Sequence, residues 1–565
     1  MESENMIWRE CYNHPVAWDT QFAPLSVPDM LQAMVEQRPL APLIDFMGRK
    51  YSYADVASAA RRVAKGLLDL GIRKGDRVGL FLPNVPHYVA AYYGAMMMGA
   101  IVVNFSPLYT VEELRYQAED SGTKLLFTLS AKALLPRAQE VMAQSCIEHL
   151  VVGSVAGALP VGKSLYYRFF KADEDAEIPQ DDRNISRFSH LIANDGDAPP
   201  ILIDPANDIA LLQYTGGTTG TPKGAMLTHQ NLSSNARQVA IIDPHRGEND
   251  RIIGVLPLFH VFANTCVLNR TVASGGEMVL LPRFDAEQVM HAIERTRASY
   301  MPGVPTMYQA MLDHPAVHHT DFSSLRVCIS GGAPMPREVK DRFEHATGAR
   351  IAEGYGLTES SGVVSANPYE GANKAGTIGQ PVPGTRVKLL NREDPTREAE
   401  PGEPGELAFA GPQTMKGYWQ RPEATAEILE NGYLRTGDVA TIDADGYIRI
   451  VDRIKDMITV GGFKVFPSQV EQVLYRHPAV KEALVIGIPD SYRGESPKAF
   501  VALAEGATAS GAELKAWLNP QLGKHEQVVA VEIRESLPKT LVGKLSRKEL
   551  VAEERERYEA EAKNG

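Results

Sequence analysis

Tyr214-Thr215-Gly216-Gly217-Thr218-Thr219-Gly220-Thr221-Pro222-Lys223-Gly224 follows directly on the apolar run Ile209-Ala210-Leu211-Leu212. Glycines let backbone N–H groups approach an anion closely and tolerate positive φ. Threonine hydroxyls and a lysine ammonium add donors, and successive N–H groups can form an anion-binding nest. The ligand such a loop suits is a polyphosphate. It is not a Walker A loop, because Lys223 lies between Pro222 and Gly224 and the Gly-Lys-Ser/Thr ending is missing. It is not the dinucleotide fingerprint G-x-G-x-x-G either. A flexible Gly/Thr surface loop is the plain alternative, but that needs neither the lysine nor a strand in front.

The rest of the chain narrows the setting. At 565 residues it has room for several domains or subdomains, each with its own core. Its 44% hydrophobic and 23% charged content is that of a soluble globular protein. A net charge of −12 argues against nucleic acid as a partner, since the overall field repels it. Cys11, Cys146, Cys266 and Cys328 form no C-x-x-C pair. Neither a disulfide framework nor a zinc site is expected, and a reducing, cytoplasmic setting fits. The acidic start Met1 to Asn5 has no apolar h-region, so no signal peptide is expected. The longest apolar run, Tyr88 to Val103, is shorter than the ~18 residues of a membrane span. It contains Gly94 and Gly99 and reads as a buried helix followed by a strand. Peripheral contact with the inner membrane and a homodimer both stay open.

Strand-like runs alternate with helical patterns from about residue 75 to 350. Arg77 to Leu82, Ile252 to Leu256 and Met278 to Leu281 read as strands. Asp285 and Gln288 form a capping pair for a helix whose Val289, Met290 and Ile293 share one face. This alternation predicts an α/β fold with helix-covered sheets. The character changes near residues 440–465, where the turn Asp443-Ala444-Asp445-Gly446-Tyr447 precedes the charge-dense Asp452 to Asp456. A domain boundary is expected there, with residues 1–453 on one side, a hinge at 454–456, and a small α+β domain over 457–565. In that domain Ser468-Gln469-Val470-Glu471 reads as a capping box. Val480 to Ile488 and Ala499 to Leu503 read as strands, and Ser546 to Glu549 opens a charged terminal helix.

Further stretches carry chemistry. Leu256-Pro257-Leu258-Phe259-His260-Val261-Phe262 ends a strand in an aromatic cluster. Taken alone, His260 reads more simply as a hydrogen-bonded strand-end histidine, a preference the surrounding motifs reverse. Gly331 and Gly332, before Ala333, remove side chains where a flat ring can slide against the backbone. In Glu353-Gly354-Tyr355-Gly356-Leu357-Thr358-Glu359, Tyr355 can stack on a base and Thr358 can donate to a phosphate. Glu359 is a hard oxygen ligand of the kind Mg²⁺ takes beside phosphate oxygens. Asp438 in Thr436-Gly437-Asp438 can accept both hydrogen bonds of a ribose diol, although alone this is an ordinary turn. Arg453 and Lys455 stand at the boundary. Gly543 bends the chain before Lys544, a residue that in isolation would read as solvated.

This ordered series, from residue 214 to 544, resembles the adenylate-forming superfamily of acyl-CoA synthetases, peptide-synthetase adenylation domains and beetle luciferases. It is most similar to the bacterial medium- and long-chain fatty acyl-CoA synthetases. Leu212 to Gly220, Lys223 to His229, Val102 to Asn104 and Pro107 to Thr110 carry that closer likeness. The resemblance implies a large N-terminal part of two helix-flanked sheets plus a small β-barrel-like part, and a small mobile C-terminal domain. It implies an ATP-dependent acid–thiol ligase that forms an acyl adenylate and pyrophosphate, then acyl-CoA and AMP.

The resemblance also implies roles. Thr215, Gly216, Gly217, Thr218, Thr219, Gly220 and Lys223 hold the phosphates. Gly331, Gly332, Ala333, Glu353, Gly354, Tyr355 and Gly356 take the adenine side, and Asp438 and Arg453 the ribose. Thr358 meets the α-phosphate and Glu359 the metal. His260, Val261 and Phe262 line the acyl pocket, with His260 beside the carboxylate. Lys544 bridges that carboxylate and the α-phosphate. Lys455 is the hinge, and Gly461, Gly462 and Phe463 line the path of coenzyme A. ATP, Mg²⁺, coenzyme A and a small-molecule acid are thus the implied ligands. Val261-Phe262-Ala263 offers no acid to hold an amino group, which speaks against amino-acid substrates. Arg270 and Arg283 leave a dicarboxylate open, although both read more simply as surface or sheet-edge residues. An aryl acid, or a carrier protein in place of coenzyme A, also stays open.

Overall fold

Isoleucine, leucine and tyrosine at 209–214 make the strand Ile209–Tyr214, and Gly224–Thr228 returns antiparallel beside it with Tyr214 opposite Gly224. These two strands form an antiparallel hairpin. The Thr215 N–H donates to the Lys223 carbonyl at 2.9 Å and ties the base of the loop. The computed structural model describes residues 6–170, 172–179, 182–215, 221–247, 249–490, 492–540 and 543–564. Gly216, Gly217, Thr218, Thr219 and Gly220 lie outside the described residues.

The hairpin sits toward one edge of an eight-stranded sheet. Beyond it come Ile101–Asn104, Arg77–Leu80, Thr123–Leu129, His149–Gly153 and Ile185–Arg187, all parallel. The apolar run read at Tyr88 to Val103 is the helix Pro86–Met97 followed by the strand Ile101–Asn104. Nearly every side chain of that helix is buried, as expected for an element packed on all sides.

A second, nine-stranded sheet has a parallel centre in the order Arg350–Tyr355, Val327–Ser330, Tyr300–Gly303, Arg251–Gly254, Glu277–Leu280 and Pro42–Phe46. Helices connect these strands. One is Ala286–Thr296, capped by Asp285 through the Gln288 N–H at 2.9 Å. The motif loops leave from the C-terminal strand ends, where open α/β sheets bind ligands. A third, five-stranded antiparallel sheet contains Gly405–Ala410, Tyr433–Ile442 and Ile448–Arg453. The Asp443–Tyr447 turn closes its last hairpin, with Asp443 accepting from the Asp445 and Tyr447 N–H groups at 3.0 Å.

The last hundred or so residues build a fourth sheet from Ile458–Val460, Phe463–Val465, Val480–Asp490, Gly494–Leu503 and Ala530–Arg534. The apolar cores divide at the same place. Trp8 through Ile448 belong to one main cluster, and Ile458 through Leu550 to two separate ones. Among the described residues, no helix is long and apolar enough to cross a membrane.

The Ser468–Glu471 capping box does not form. The helix starts one residue earlier, as Pro467–Leu474, and its N-cap Phe466 makes no side-chain cap. The Ser468 N–H instead donates to Asp452 at 2.8 Å. Glu471 is buried, and both its oxygens accept from Arg547 Nη2, at 2.7 and 2.8 Å, while Oε1 also accepts from the Val485 N–H at 2.7 Å. A buried carboxylate needs full pairing, and a distant guanidinium satisfies it better than a helix terminus does.

Candidate active site

The loops at the strand ends converge with the C-terminal segment on one cavity of about 1830 Å³. Thr215 and Lys223 reach it from the base of the glycine-rich hairpin. Lys223 Nζ lies 5.2 Å over the ring of Tyr418, whose short strand Gly417–Tyr418 pairs with Gly224–Thr228. The Tyr418 hydroxyl donates to Glu359 Oε1 at 2.6 Å. Lys223 and Glu359 thus both meet one tyrosine. Nothing in the sequence spacing marked Tyr418, because its partners stand 59 and 195 positions away by residue number.

Tyr355 and Asp438 meet directly, the phenol donating to Asp438 Oδ2 at 2.5 Å. Arg453 lies opposite Asp438 in the strand register, with Nε 3.4 Å from Oδ1. Burial pushes the Asp438 carboxyl above its ordinary value, and the Arg453 charge opposes that shift. Gly354, Gly356 and Thr358 line the same wall, and Thr358 opens the short turn Thr358–Ser360. Glu353 also lines the cavity, but its oxygens accept from the backbone N–H groups of Met335 and Gly376 at 3.3 and 3.1 Å. It pins the loop after Gly331-Gly332-Ala333 to the strand end.

His260 caps the turn that follows it, its Nδ1 accepting from the Phe262 N–H at 3.3 Å. Burial, and then the charge of Lys544, lower its pKa to about 3. A neutral ring that accepts at Nδ1 keeps its proton on Nε2, where it can donate to an oxygen. Val261 and Phe262 follow on the same wall, and the chain then runs through the π-helical turn Asn264–Asn269. The Phe262 ring lies where a Cβ on Gly331 would fall, at 3.0 Å.

Lys544 comes from the C-terminal part and lies on Gly332, where a Cβ would collide with its Cε and Nζ. Gly332 has φ +83°, and Gly543 turns the chain at φ +81°, so both need glycine's freedom. The Thr306 hydroxyl donates to the Gly543 carbonyl at 3.0 Å and ties this turn to the N-terminal part. Burial, and then Arg453, lower the Lys544 pKa to about 8. Lys455 lines the cavity within the turn Ile454–Asp456, and burial lowers its pKa too.

Three expected residues are not brought here. Gly461 and Gly462 form the tip of the hairpin between Ile458–Val460 and Phe463–Val465, with φ +56° and +88°. Phe463 is exposed and stacks on His525 with centroids 5.2 Å apart. None of the three lines the cavity in this arrangement.

Arg283 is exposed, as read, but Arg270 is not a surface residue. It is fully buried, donates to Asp243 at 2.6 Å and Asp250 at 3.4 Å, and lies 4.1 Å over the ring of Tyr300. The two acids sit in loops around strand Arg251–Gly254, which made the pairing invisible to local pattern.

Comparison with known proteins agrees with this geometry. Residues 31–419 match the model of the AMP-binding enzyme family, and residues 469–544 match the AMP-binding enzyme C-terminal domain. The chain is 40% identical to a long-chain-fatty-acid–CoA ligase of Bacillus subtilis (strain 168), over 98% of both chains. It is 37% identical to the enzyme of that name from Escherichia coli O157:H7, over 95% of this chain and 96% of that one. The crystal structure of ATP-bound MatB from Rhodopseudomonas palustris superposes with a TM-score of 0.83 at 28% identity, covering 94% of this chain and all of that one at 100%. With most of its length matched, and the motif residues gathered around one cavity, the chain belongs to the AMP-binding enzyme family.

Proposed function

We propose that this protein is an ATP-dependent fatty acid–CoA ligase. The observation that carries the reading is Lys544 lying on Gly332, inside the cavity that also holds His260, Lys223 and the Tyr355–Asp438 pair. Two anions, an acyl carboxylate and a triphosphate, must meet there. A preorganised cation lowers the cost of that meeting.

In this reading Thr215 and Lys223, with the glycine-rich tip, grip the pyrophosphate. Tyr355 stacks on adenine, Asp438 and Arg453 hold the ribose, and Thr358 donates to the α-phosphate. His260 Nε2–H orients the carboxylate, and Lys544 stands between carboxylate and α-phosphate as the carboxylate oxygen attacks and pyrophosphate departs. Glu359 fits a Mg²⁺ site, because only one of its oxygens is taken by Tyr418 and Mg²⁺ otherwise takes phosphate oxygens and water. Among the described residues, no group of three or more His, Cys, Asp or Glu side chains could hold a metal ion, and Glu359 with phosphate oxygens and water would supply the ligands. Bound Mg²⁺ neutralises charge on the departing phosphates.

Coenzyme A serves as the second substrate. We place the domains at 1–453 and 457–565, with residues 454–456 as the hinge. Rotation there withdraws Lys544 and brings the Gly461-Gly462-Phe463 hairpin to the cavity, where its thin backbone passes the pantetheine arm. The four free cysteines suit the cytoplasm. Arg270 is already neutralised by Asp243 and Asp250, so it offers no spare charge to a dicarboxylate.

The test is pyrophosphate release measured over acids of graded length, with and without coenzyme A. Acid-dependent release, followed by thioester formation with free coenzyme A, is expected. No release with any acid defeats the enzyme reading, and release without thioester points to a carrier-protein acceptor.

A pH effect follows from Lys544. Its charged form is the active one, and that charge is lost as pH rises through about 8 in the free enzyme. The kcat/KM for adenylation is therefore expected to fall above pH about 8. With both anions bound the ammonium is stabilised, so kcat holds to higher pH. In Lys544→Arg the alkaline limb of kcat/KM should move out of this range.

A further inference from the structure

Resting on the ligase reading above, we infer that the acyl end of the cavity is built for an acid with a neutral oxygen acceptor about eight to ten carbons from its carboxyl group. Tyr300 and Tyr369 receive that oxygen.

The depth comes from strand Tyr300–Gly303. At its C-terminal end the Gly303 carbonyl accepts from the Gly331 N–H at 3.2 Å, next to Gly332 and Lys544. At its N-terminal end Tyr300 lines the cavity. Three residues of strand span about 10 Å. An extended alkyl chain advances about 1.25 Å per carbon, from a C–C bond of ~1.5 Å in a zigzag, so about eight methylenes fit between. The walls along this stretch are apolar, formed by Phe262, Val239, Ile242 and Val363.

The floor is polar. The Tyr300 and Tyr369 hydroxyls are 3.0 Å apart, and both residues are buried. Two hydroxyls carry two hydrogens, and their mutual bond uses one. No other partner is recorded for either hydroxyl among the described residues. One O–H donor is therefore left over on the cavity lining, near the apolar Phe262, Val239, Ile242 and Val363 that line the same cavity. A methyl end would cover it unsatisfied, whereas a hydroxyl or keto oxygen would accept from it. Burial pushes both phenols far up, so they stay donors. Behind Tyr300, Arg270 spends its charge on Asp243 and Asp250. An ω-carboxylate would then be a buried anion without a counter-charge, so the oxygen is neutral.

The experiment measures kcat/KM for pyrophosphate release with ω-hydroxydecanoate and with decanoate, in the wild type and in Tyr300→Phe/Tyr369→Phe. The wild type is expected to favour the hydroxy acid about tenfold or more, the scale set by satisfying one buried donor. In the double variant the ratio should collapse toward one. On the hexanoate chain, too short to reach, the hydroxyl should bring no gain. Where the double variant does not fold, the wild-type comparison at ten and at six carbons carries the test, because either single change still leaves one O–H without an acceptor, and a gain from the hydroxyl at both lengths overturns the inference. Equal rates or a preference for decanoate in the wild type overturns the inference, as does a preference that survives the tyrosine changes. Release with decanoate but no discrimination removes this inference and keeps the ligase reading, whereas no release with any acid removes both.

Discussion

Lys544→Ala is expected to slow acyl-adenylate formation by roughly 10²–10³-fold, the scale for losing one preorganised charge stabiliser. Its ammonium is buried against Gly332, with Arg453 and His260 as its charged and neutral neighbours. Burial has already lowered its pKa to about 8, so the protein spends stability to keep a cation there. That expense is repaid only when anions arrive. Thioester formation from supplied acyl-AMP should survive, because the proposed rotation withdraws Lys544 before that step. Measuring the two half-reactions separately decides the matter, and equal damage to both would mean that Lys544 is structural. The melting temperature gives a second check. Removing a partly desolvated cation should leave it unchanged or raise it.

Lys455→Pro should do the reverse. Lys455 sits in the Ile454–Asp456 turn between the third and fourth sheets. Proline fixes φ near −65° and restricts the residue before it, so the turn loses its freedom to switch. Adenylation should stay within a few-fold of the wild type, since the present arrangement already holds Lys544 in place. Thioesterification should fall by about 10²-fold or more, because a hairpin that cannot dock is misplaced by far more than 1 Å. Intact thioesterification in this variant would remove the rotation from the proposal.

The sequence was most legible where a motif is local. The glycine-rich hairpin, the helix Pro86–Met97 and the parallel strands follow from runs of adjacent residues, and so does the turn at Asp443. Pairings across long separations could not be read. Glu471 looked like a cap because Arg547 is 76 residues away. Arg270 looked exposed because its two acids lie in other loops. Tyr418, Tyr300 and Tyr369 belong to no recognisable pattern, yet they hold Glu359 and close the acyl end. These are tertiary facts, fixed by how strand ends meet rather than by spacing along the chain. The Gly461-Gly462 hairpin was legible as two glycines, but the structure does not place it on the cavity.

The division of the apolar cores near residue 450 also governs energetics. The contacts that cross it near the site are polar, such as Thr306 to Gly543 and Lys481 to Asp313 at 3.5 Å. In the proposed rotation these would be exchanged for other polar contacts, and little hydrocarbon would change its exposure to water. The balance between the two arrangements should then carry almost no heat-capacity change. It should answer instead to ionic strength and to the charge of whatever occupies the cleft. In the proposed rotation the nucleotide's own anionic charge would then act as the timing signal, with the loss of pyrophosphate favouring the turn of the small lobe.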